Sequence, residues 1–585
     1  MKTIVNQIAI LHTRDEIPGF IWLLRILAVL LGVVHTWAAA ISYSMNADGI
    51  SYLDIGDAYV RGDWEVAINS VWSPMYSWIL GGVLRIVKPS MAYEFPLVHL
   101  VNFSIYILAL ICFEYLWRES RNYQQSTIAT EGTAEWNIFP HWMWWGLGYA
   151  VFVFASLHLI SIWSVTPDML MSAFVYLAAG MLVSMRMGKQ SWGLFIIFGM
   201  VLGLSYLAKA VMFPMSMLFL IICLVSTTNF RQRLPYVLIA ALFFFLFSVP
   251  FIAIVSIHEG RFTFSDAGML TYVRHINGVP YPHWQGEPPG SGIPTHPTRL
   301  IFLSPPIYEF GEPVGGTYPI TYDPYYWYEG VTIRRDLSQQ IDYTLFSLIY
   351  FFDLLFRQQS ALLIGIITLY WVGRSKRLTL VDFPFRWGLV MIAMFAFAFY
   401  GSVNVIGRYI GVFIVLFWTD LLANIHVARE QQKRNLALFL GIIMIAFMAM
   451  NIVAINLAGY WNLSGKPDLH QEAVEDGVPP SWPGEVAQEL HQLGVKPGEN
   501  VAIIGYGFDS FWARLARVKI VSEMLGHQAT DFWLGDEALQ QEVLQAFAGT
   551  GAEAVVAEYV PEYARLDGWN RVGNSNFYIY IFSEQ

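Results

Sequence analysis

The chain reads as a polytopic α-helical membrane protein of about eleven transmembrane helices, with a small α/β soluble domain at its C-terminal end. Three observations predict this fold class. Hydrophobic residues make up 56% of the 585 and charged residues only 13%, at a mean hydropathy of +0.47, a balance foreign to water-soluble globules. Apolar windows long enough to cross a bilayer as helices recur along residues 1–460. The charge is also unevenly spread. From Trp461 to the end there are 18 Asp/Glu against 7 Lys/Arg, a net of −11 out of the chain's −10, which leaves the body close to neutral. No basic face of the kind nucleic acid requires is present in the pattern.

The windows lie near 21–41, 95–117, 141–163, 167–185, 191–208, 211–228, 235–257, 343–372, 385–401, 408–425 and 436–459. The first is too long for a signal h-region and lacks a small-residue cleavage site, so it reads as a retained helix. Cys112 and Cys223 both sit in apolar spans, so a disulfide framework is not part of the design. Basic residues cluster in alternate loops: Arg118 and Arg121, Arg186 and Lys189, Arg231 and Arg233, Arg374 with Lys376 and Arg377, and Arg429 with Lys433 and Arg434. By the positive-inside rule those loops and the amino terminus are cytoplasmic. The expected organisation is a membrane domain over 1–460, with outer loops 42–94 and 258–342, and an extracytoplasmic α/β domain over 461–585.

The first outer loop, from Asn46 to Val87, carries five acidic residues. A polar loop lodged between membrane spans is costly to keep without a task. The spacing of Gly49–Arg61 predicts a short helix ended by Gly62, with Asp57 and Arg61 as an i,i+4 ion pair. Asp48 and Tyr52 are also i,i+4, and the structural alternative for Asp48 is a helix N-cap. Ser73-Pro74 opens a second helix, with Ser as cap and Pro at the first helical position. Its apolar run would lie at the outer leaflet, which makes the loop an acid-bearing platform beside lipid.

Three further features fall on the same face. Thr166-Pro167-Asp168 places a carboxylate at an outer turn, Lys209 sits at another outer junction, and Arg408-Tyr409 opens the tenth span. Ionisable groups in or beside membrane spans are functional candidates. Each also has a structural alternative: a cap for Asp168, snorkelling for Lys209, and interface anchoring for Arg408. Two carboxylates and two cations converging on one face suit a phosphate leaving group and a hydroxyl to be deprotonated.

The 258–342 segment is rich in Pro, Gly and Tyr, as in EPVGGTYPITYDPYYWYEG. Its aromatic density argues against plain disorder. Two readings are open and compatible: a cap over the membrane body, and a platform on which aromatic faces stack against a sugar ring. In the tail, the pattern predicts strands at Asn500–Ile504, Lys519–Ser522, Ala554–Glu558 and Phe577–Phe582, with helices at Gly484–Leu493, Asp509–Ala516 and Glu537–Ala548. The GYGFDS run at 505–510 has Ser510 where a nucleotide loop needs its third glycine, and reads as ordinary turn geometry.

ADGISYLDIGDAYVRGDW resembles the first-loop signature of the integral-membrane GT-C glycosyltransferases, the group that includes protein O-mannosyltransferases and the aminoarabinose transferase of lipid A. The family's acidic residue, its aromatic four later and its G-D-W correspond to Asp48, Tyr52 and Gly62-Asp63-Trp64. Its T-P-D turn corresponds to Thr166-Pro167-Asp168, its L-x-K to Leu207-Ala208-Lys209 and its Arg-Tyr to Arg408-Tyr409. Two departures stand out. Gly49 replaces a second acid, and Trp72-Ser73-Pro74 replaces the Glu-Lys-Pro of lipid A-modifying members, so their phosphate-binding lysine has no counterpart. The resemblance implies a polyprenyl-phosphate sugar donor, a protein, lipid or glycan acceptor, and inversion at the anomeric carbon. In that mechanism Asp48 is the base, Asp168 orients acceptor or base, and Lys209 and Arg408 meet the phosphate, with Tyr52 and Tyr409 lining the substrate.

No cofactor is implied. A monophosphate donor demands no metal, and His258, His275, His283 and His296 show no ligand motif. A transporter or flippase of lipid-linked saccharide is the alternative, but it would place charges near mid-membrane in repeated halves, and no repeat is visible. A membrane anchor with a partner-binding tail leaves the loop motifs unexplained.

Overall fold

The structure, a computed structural model, describes residues 19–42, 45–130, 136–137, 139–226, 229–286, 291–311, 315–372, 387–425, 427–428, 431–465 and 483–582. Arg374, Lys376, Arg377 and Arg429 of the expected inner loops, and tail residues 466–482, lie outside the described residues. The main helices of the body are α1 (Phe20–Ser42), α2 (Ala47–Arg61), α3 (Pro74–Val87), α4 (Met91–Thr130), α5 (His141–Val153), α6 (Asp168–Arg186), α7 (Trp192–Ala208), α8 (Met212–Val225), α9 (Phe230–His258), α10 (Ala267–His275), α11 (Leu337–Phe352), α12 (Ser360–Val372), α13 (Gly388–Gly401), α14 (Gly407–Ala423) and α15 (Gln431–Gly465).

Each apolar window falls on these helices, the one at 343–372 on two of them. Among the described residues six helices are long and apolar enough to cross a membrane alone, α7, α8 and α13 are shorter apolar helices, and α11 with α12 forms a pair bent by 78°. The single span expected at 343–372 is therefore corrected to a broken one. The bend follows a π-helical stretch, Asp353–Gln358, whose extra residue per turn disturbs the ladder. The protein is thus a multi-pass helical membrane protein with an aromatic core in which Trp117 stacks on Trp144 at 4.6 Å and Phe113 on Phe152 at 4.8 Å.

Two groups of loops gather separately. In one, Arg186 pairs with Asp420 at 3.1 Å, Lys189 with Glu119 at 2.8 Å, and Arg233 donates to the Met185 carbonyl at 3.0 Å. Asp420 also accepts from the amides of Leu389 and Val390 at 2.9 and 3.1 Å, satisfying orphan donors at the start of α13. These are loops expected on the cytoplasmic face. The other group joins α2, the 258–342 segment and the tail.

That second group includes a result that local patterning did not reveal. The tail strands β3 (Asn500–Gly505), β4 (Lys519–Leu525), β5 (Ala554–Glu558), β6 (Trp569–Arg571) and β7 (Phe577–Ile581) share one seven-stranded sheet with β1 (Arg299–Leu303) and β2 (Pro306–Glu309) of the outer segment. The order is β1-β2-β4-β3-β5-β7-β6. β4, β3 and β5 are parallel, and β2 pairs antiparallel to β4 through Tyr308↔Glu523 and Glu309↔Ser522. The outer segment is thus a cap that lends two strands to the tail. Tyr318 and His283 from that segment also reach the buried Glu523, at 2.9 and 2.6 Å.

At the end of β3 the GYGFDS run forms a turn in which the Tyr506 and Gly507 amides are taken by carboxylates. Glu558 accepts from the Tyr506 amide at 3.2 Å and Trp512 Nε1 at 3.0 Å, and Glu523 accepts from the Gly507 amide at 2.7 Å. Carboxylates occupy the position where a nucleotide phosphate would need free donors. Burial pushes the Glu558 carboxyl up to about 7, outweighing the hydrogen bonds that favour its charged form. With the folded value above the unfolded one, the fold binds the extra proton, and stability falls as pH rises from the ordinary carboxylate range through about 7. Glu558→Gln is expected to flatten this fall and to raise the melting midpoint at pH 8 more than at pH 5.5. Thermal melts of the full chain at both pH values check this, and equal shifts would refute it.

Candidate active site

The first turn of α2 is held from outside. Asn46 is its N-cap residue, with extended backbone, but its side chain reaches across to the chain just before the Thr166-Pro167-Asp168 turn. Asn46 Oδ1 accepts from the Val165 amide at 2.9 Å, and Nδ2 donates to the Val165 carbonyl at 3.4 Å. Gly49 makes this approach possible: a Cβ there would meet Met45 Sδ and Val165 Cβ at 2.7 Å each. A side chain at position 49 would break this close packing, which accounts for the glycine. Farther along, α2 crosses α3 at Gly56 and Gly81, where a Cβ on Gly81 would lie 2.5 Å from the Gly56 carbonyl oxygen. α2 ends at Gly62 with φ +77°, and α3 starts with Ser73 and Pro74 as cap and first residue.

This clip brings two carboxylates and two cations together. Arg408 Nη2, on the first turn of α14, donates to Asp48 Oδ2 at 2.8 Å. Its Nε lies 4.0 Å from Asp168 Oδ2, and Lys209 Nζ donates to Asp168 Oδ1. Lys209 also lies 3.9 Å from the centre of the Tyr409 ring, and Tyr409 stacks on Tyr400 at 5.2 Å. The sequence Asp48–Arg408–Asp168–Lys209 is therefore one continuous chain of ion pairs drawn from four separate segments. Side-chain exposure divides it: Asp48, Arg408 and Lys209 are 28%, 23% and 20% exposed, while Asp168 is 1% exposed. Asp168 sits buried behind the cations and pairs with them, and the other three are partly exposed.

Three structural alternatives are overturned. Asp48 is not the N-cap, since Asn46 is. Asp168 is the first helical residue of α6, following Pro167, and makes ion pairs in place of a cap. Lys209 turns inward to Asp168 and does not snorkel. The expected Asp57–Arg61 pair is also corrected: Asp57 lies 2.7 Å from Arg514 of the tail. A buried arginine outcompetes an exposed i,i+4 partner because its desolvation is offset only by direct ion pairs.

Tyr52 is buried beneath Asp48, edge-on to Trp72 at 5.0 Å and Tyr76 at 5.2 Å. Burial, and then the charges of Asp48 and Asp168, push its phenol well above the usual range. It is a neutral support under the carboxylate and not a surface group. His275 faces Asn404, His283 faces Glu523 and His296 faces Glu329, each in a different place.

One residue of interest escaped sequence reasoning. Arg274, on α10, lies 3.9 Å from the centre of the Tyr281 ring and 4.7 Å from that of Tyr328. Burial raises the Tyr281 phenol, with Arg274 opposing the shift. No spacing signal marks Arg274 in the chain. Asn46, by contrast, carried one: Asn is a favoured residue directly before a helix.

No protein-family profile matches the chain, and no curated protein matches it in sequence. Among solved structures it is similar to ArnT from Cupriavidus metallidurans bound to undecaprenyl phosphate, at 12% identity and a TM-score of 0.48, over 95% of this chain and 97% of that one. It is also similar to the oligosaccharyltransferase of Archaeoglobus fulgidus, at 11% identity and a TM-score of 0.45, over 91% of this chain and 68% of that one.

Proposed function

We propose that this chain is an inverting glycosyltransferase that moves a sugar from a polyprenyl-phosphate donor to an acceptor hydroxyl at the outer face of the membrane. The observation that carries this reading is the ion-pair chain Asp48–Arg408–Asp168–Lys209, open to solvent at Asp48, Arg408 and Lys209 and closed at Asp168. The motif resemblance of the first loop supports it independently.

In this mechanism Asp48 accepts the proton of the acceptor hydroxyl while its oxygen attacks the anomeric carbon. The bond from that carbon to the phosphate oxygen breaks, and the lipid phosphate leaves with the electron pair. Lys209 and Arg408 receive the charge that develops there. Arg408 uses Nη2 on Asp48, so the same guanidinium can bridge base and leaving group and set the distance between them. Asp168 keeps the two cations from separating in a site of low dielectric. The membrane domain over 1–460 would supply this chemistry and the 461–585 domain would complete its outer wall, with the amino terminus cytoplasmic and the protein in the plasma (inner) membrane.

The test is a panel of polyprenyl-phosphate sugars given to the purified chain in proteoliposomes, with products read by mass spectrometry. Transfer from at least one monophosphate donor, with inverted anomeric configuration in the product, is expected. Movement of lipid-linked saccharide across the bilayer with no transfer would overturn the reading in favour of a flippase.

A further inference from the structure

Beyond the Asp48 cluster, the densest charge in the described structure lies where the tail meets the first outer loop. The short helix α16 (Phe511–Ala516) presents Arg514, 3% exposed, to three carboxylates of the membrane body. Its Nη1 lies 2.7 Å from Asp54 and 2.7 Å from Asp57, and its Nε lies 3.1 Å from Glu94. Arg517 adds a contact to Glu94 at 3.3 Å and lies 3.9 Å from Asp57. Asp54 in turn accepts from the Thr317 amide at 2.7 Å and its hydroxyl at 3.1 Å.

Asp54 and Asp57 belong to α2, the helix whose first turn carries Asp48. Six residues separate Asp48 from Asp54, about 9 Å along a helix axis. α2 does not cross the membrane, so its placement depends on what grips it. Its grips include the Asn46–Val165 clip at one end, the Gly56–Gly81 crossing and the Ser51 hydroxyl on the Thr321 carbonyl in the middle, and Thr317 with Arg514 on the C-terminal half. Without the tail, Asp54, Asp57 and Glu94 would face one another without the Arg514 and Arg517 cations, and the C-terminal half of α2 would lose its charged anchor.

We propose that Arg514 is a positioning residue for Asp48: by neutralising Asp54, Asp57 and Glu94 together, the tail fixes the roll of α2 and holds Asp48 against Arg408. This rests on the reading of Asp48 as the base. Loss of the grip would move the carboxylate by a fraction of its distance to Arg408, and misplacement of about 1 Å can cost about 100-fold in rate.

The experiment compares full-length wild type, Arg514→Met and Arg514→Lys in proteoliposomes, with folded protein quantified. In Arg514→Met we expect kcat per folded molecule to fall about 10- to 100-fold with donor KM little changed. Arg514→Lys keeps the charge but cannot meet three carboxylates at once, and should fall between the two; it also serves if Arg514→Met fails to fold. Unchanged kcat per folded molecule would overturn the proposal. If the wild type transfers from no donor, or Asp48→Asn keeps full activity, the reading of the base fails by itself. Hydrogen exchange across residues 47–61 then decides the latch: faster exchange in Arg514→Met sustains it, and unchanged exchange overturns it.

Discussion

Asp48→Asn is expected to lower kcat for sugar transfer by about 10²- to 10⁴-fold, the range that general-base catalysis contributes, with the protein folded and donor KM little altered. Asn has the same shape and keeps one oxygen to accept from Arg408 Nη2, which now lies 2.8 Å from Asp48. What it cannot do is take a proton from the acceptor hydroxyl. Arg408 retains Asp168 at 4.0 Å as a counter-charge, so the substitution removes a base without leaving the cation isolated. A fall confined to kcat marks an interaction made only in the transition state. The measurement is steady-state transfer by wild type and variant in matched proteoliposomes, and wild-type turnover in Asp48→Asn would remove this residue from the chemistry.

Arg408→Met is expected to lower kcat by about 10²- to 10³-fold, in line with the loss of one electrostatic donor to a developing anion, and to raise donor KM as well. Both parameters should move because the phosphate is already charged in the ground state. The choice of Arg408 over Lys209 is deliberate. Asp168 is buried and keeps Lys209 when Arg408 is lost, whereas Lys209→Met would strip that carboxylate of its direct partner. An unpaired buried charge costs about 3–5 kcal/mol of stability, and the outcome would be a folding defect difficult to separate from lost turnover. Arg408→Lys should recover part of the loss, since a point charge replaces a fork that bridges base and leaving group. A Met variant with unchanged kcat and KM would exclude Arg408 from phosphate binding.

Several parts of the site were legible because they obey local rules. The spans follow from runs of apolar residues, and each window falls on the helices of the body. The end of α2 follows from Gly62 and the start of α3 from Ser73-Pro74, whereas α2 starts at Ala47 after Asn46, two residues before the expected Gly49. Asp48, Tyr52, Asp168, Lys209, Arg408 and Tyr409 stood out as polar or aromatic residues in motif order beside membrane spans, and the structure brings them together. The partner of each charge was less legible. Spacing paired Asp57 with Arg61, but the fold pairs it with Arg514, because a buried guanidinium far along the chain has more to gain from a carboxylate than an exposed neighbour does. The hairpin of β1 and β2 was invisible for a related reason: strand pairing with β4 joins residues more than 200 positions apart, and no periodicity encodes which distant edge a strand will meet.

By itself the sequence determined the class of the protein, a multi-pass helical body with an acidic α/β tail, and the residue types available for chemistry at one face. These are properties of composition, run length and nearest-neighbour geometry, which act within a few turns of chain. The tertiary structure alone decided which of those residues share a charge network and which way they face. It turned Asp48 from a possible cap into a partner of Arg408, buried Asp168 behind the two cations, and drew Arg514 onto the back of the helix that carries Asp48. Burial sets those outcomes, because an ion pair gains strength only where water is excluded, and which surfaces exclude water is known only once distant segments have packed.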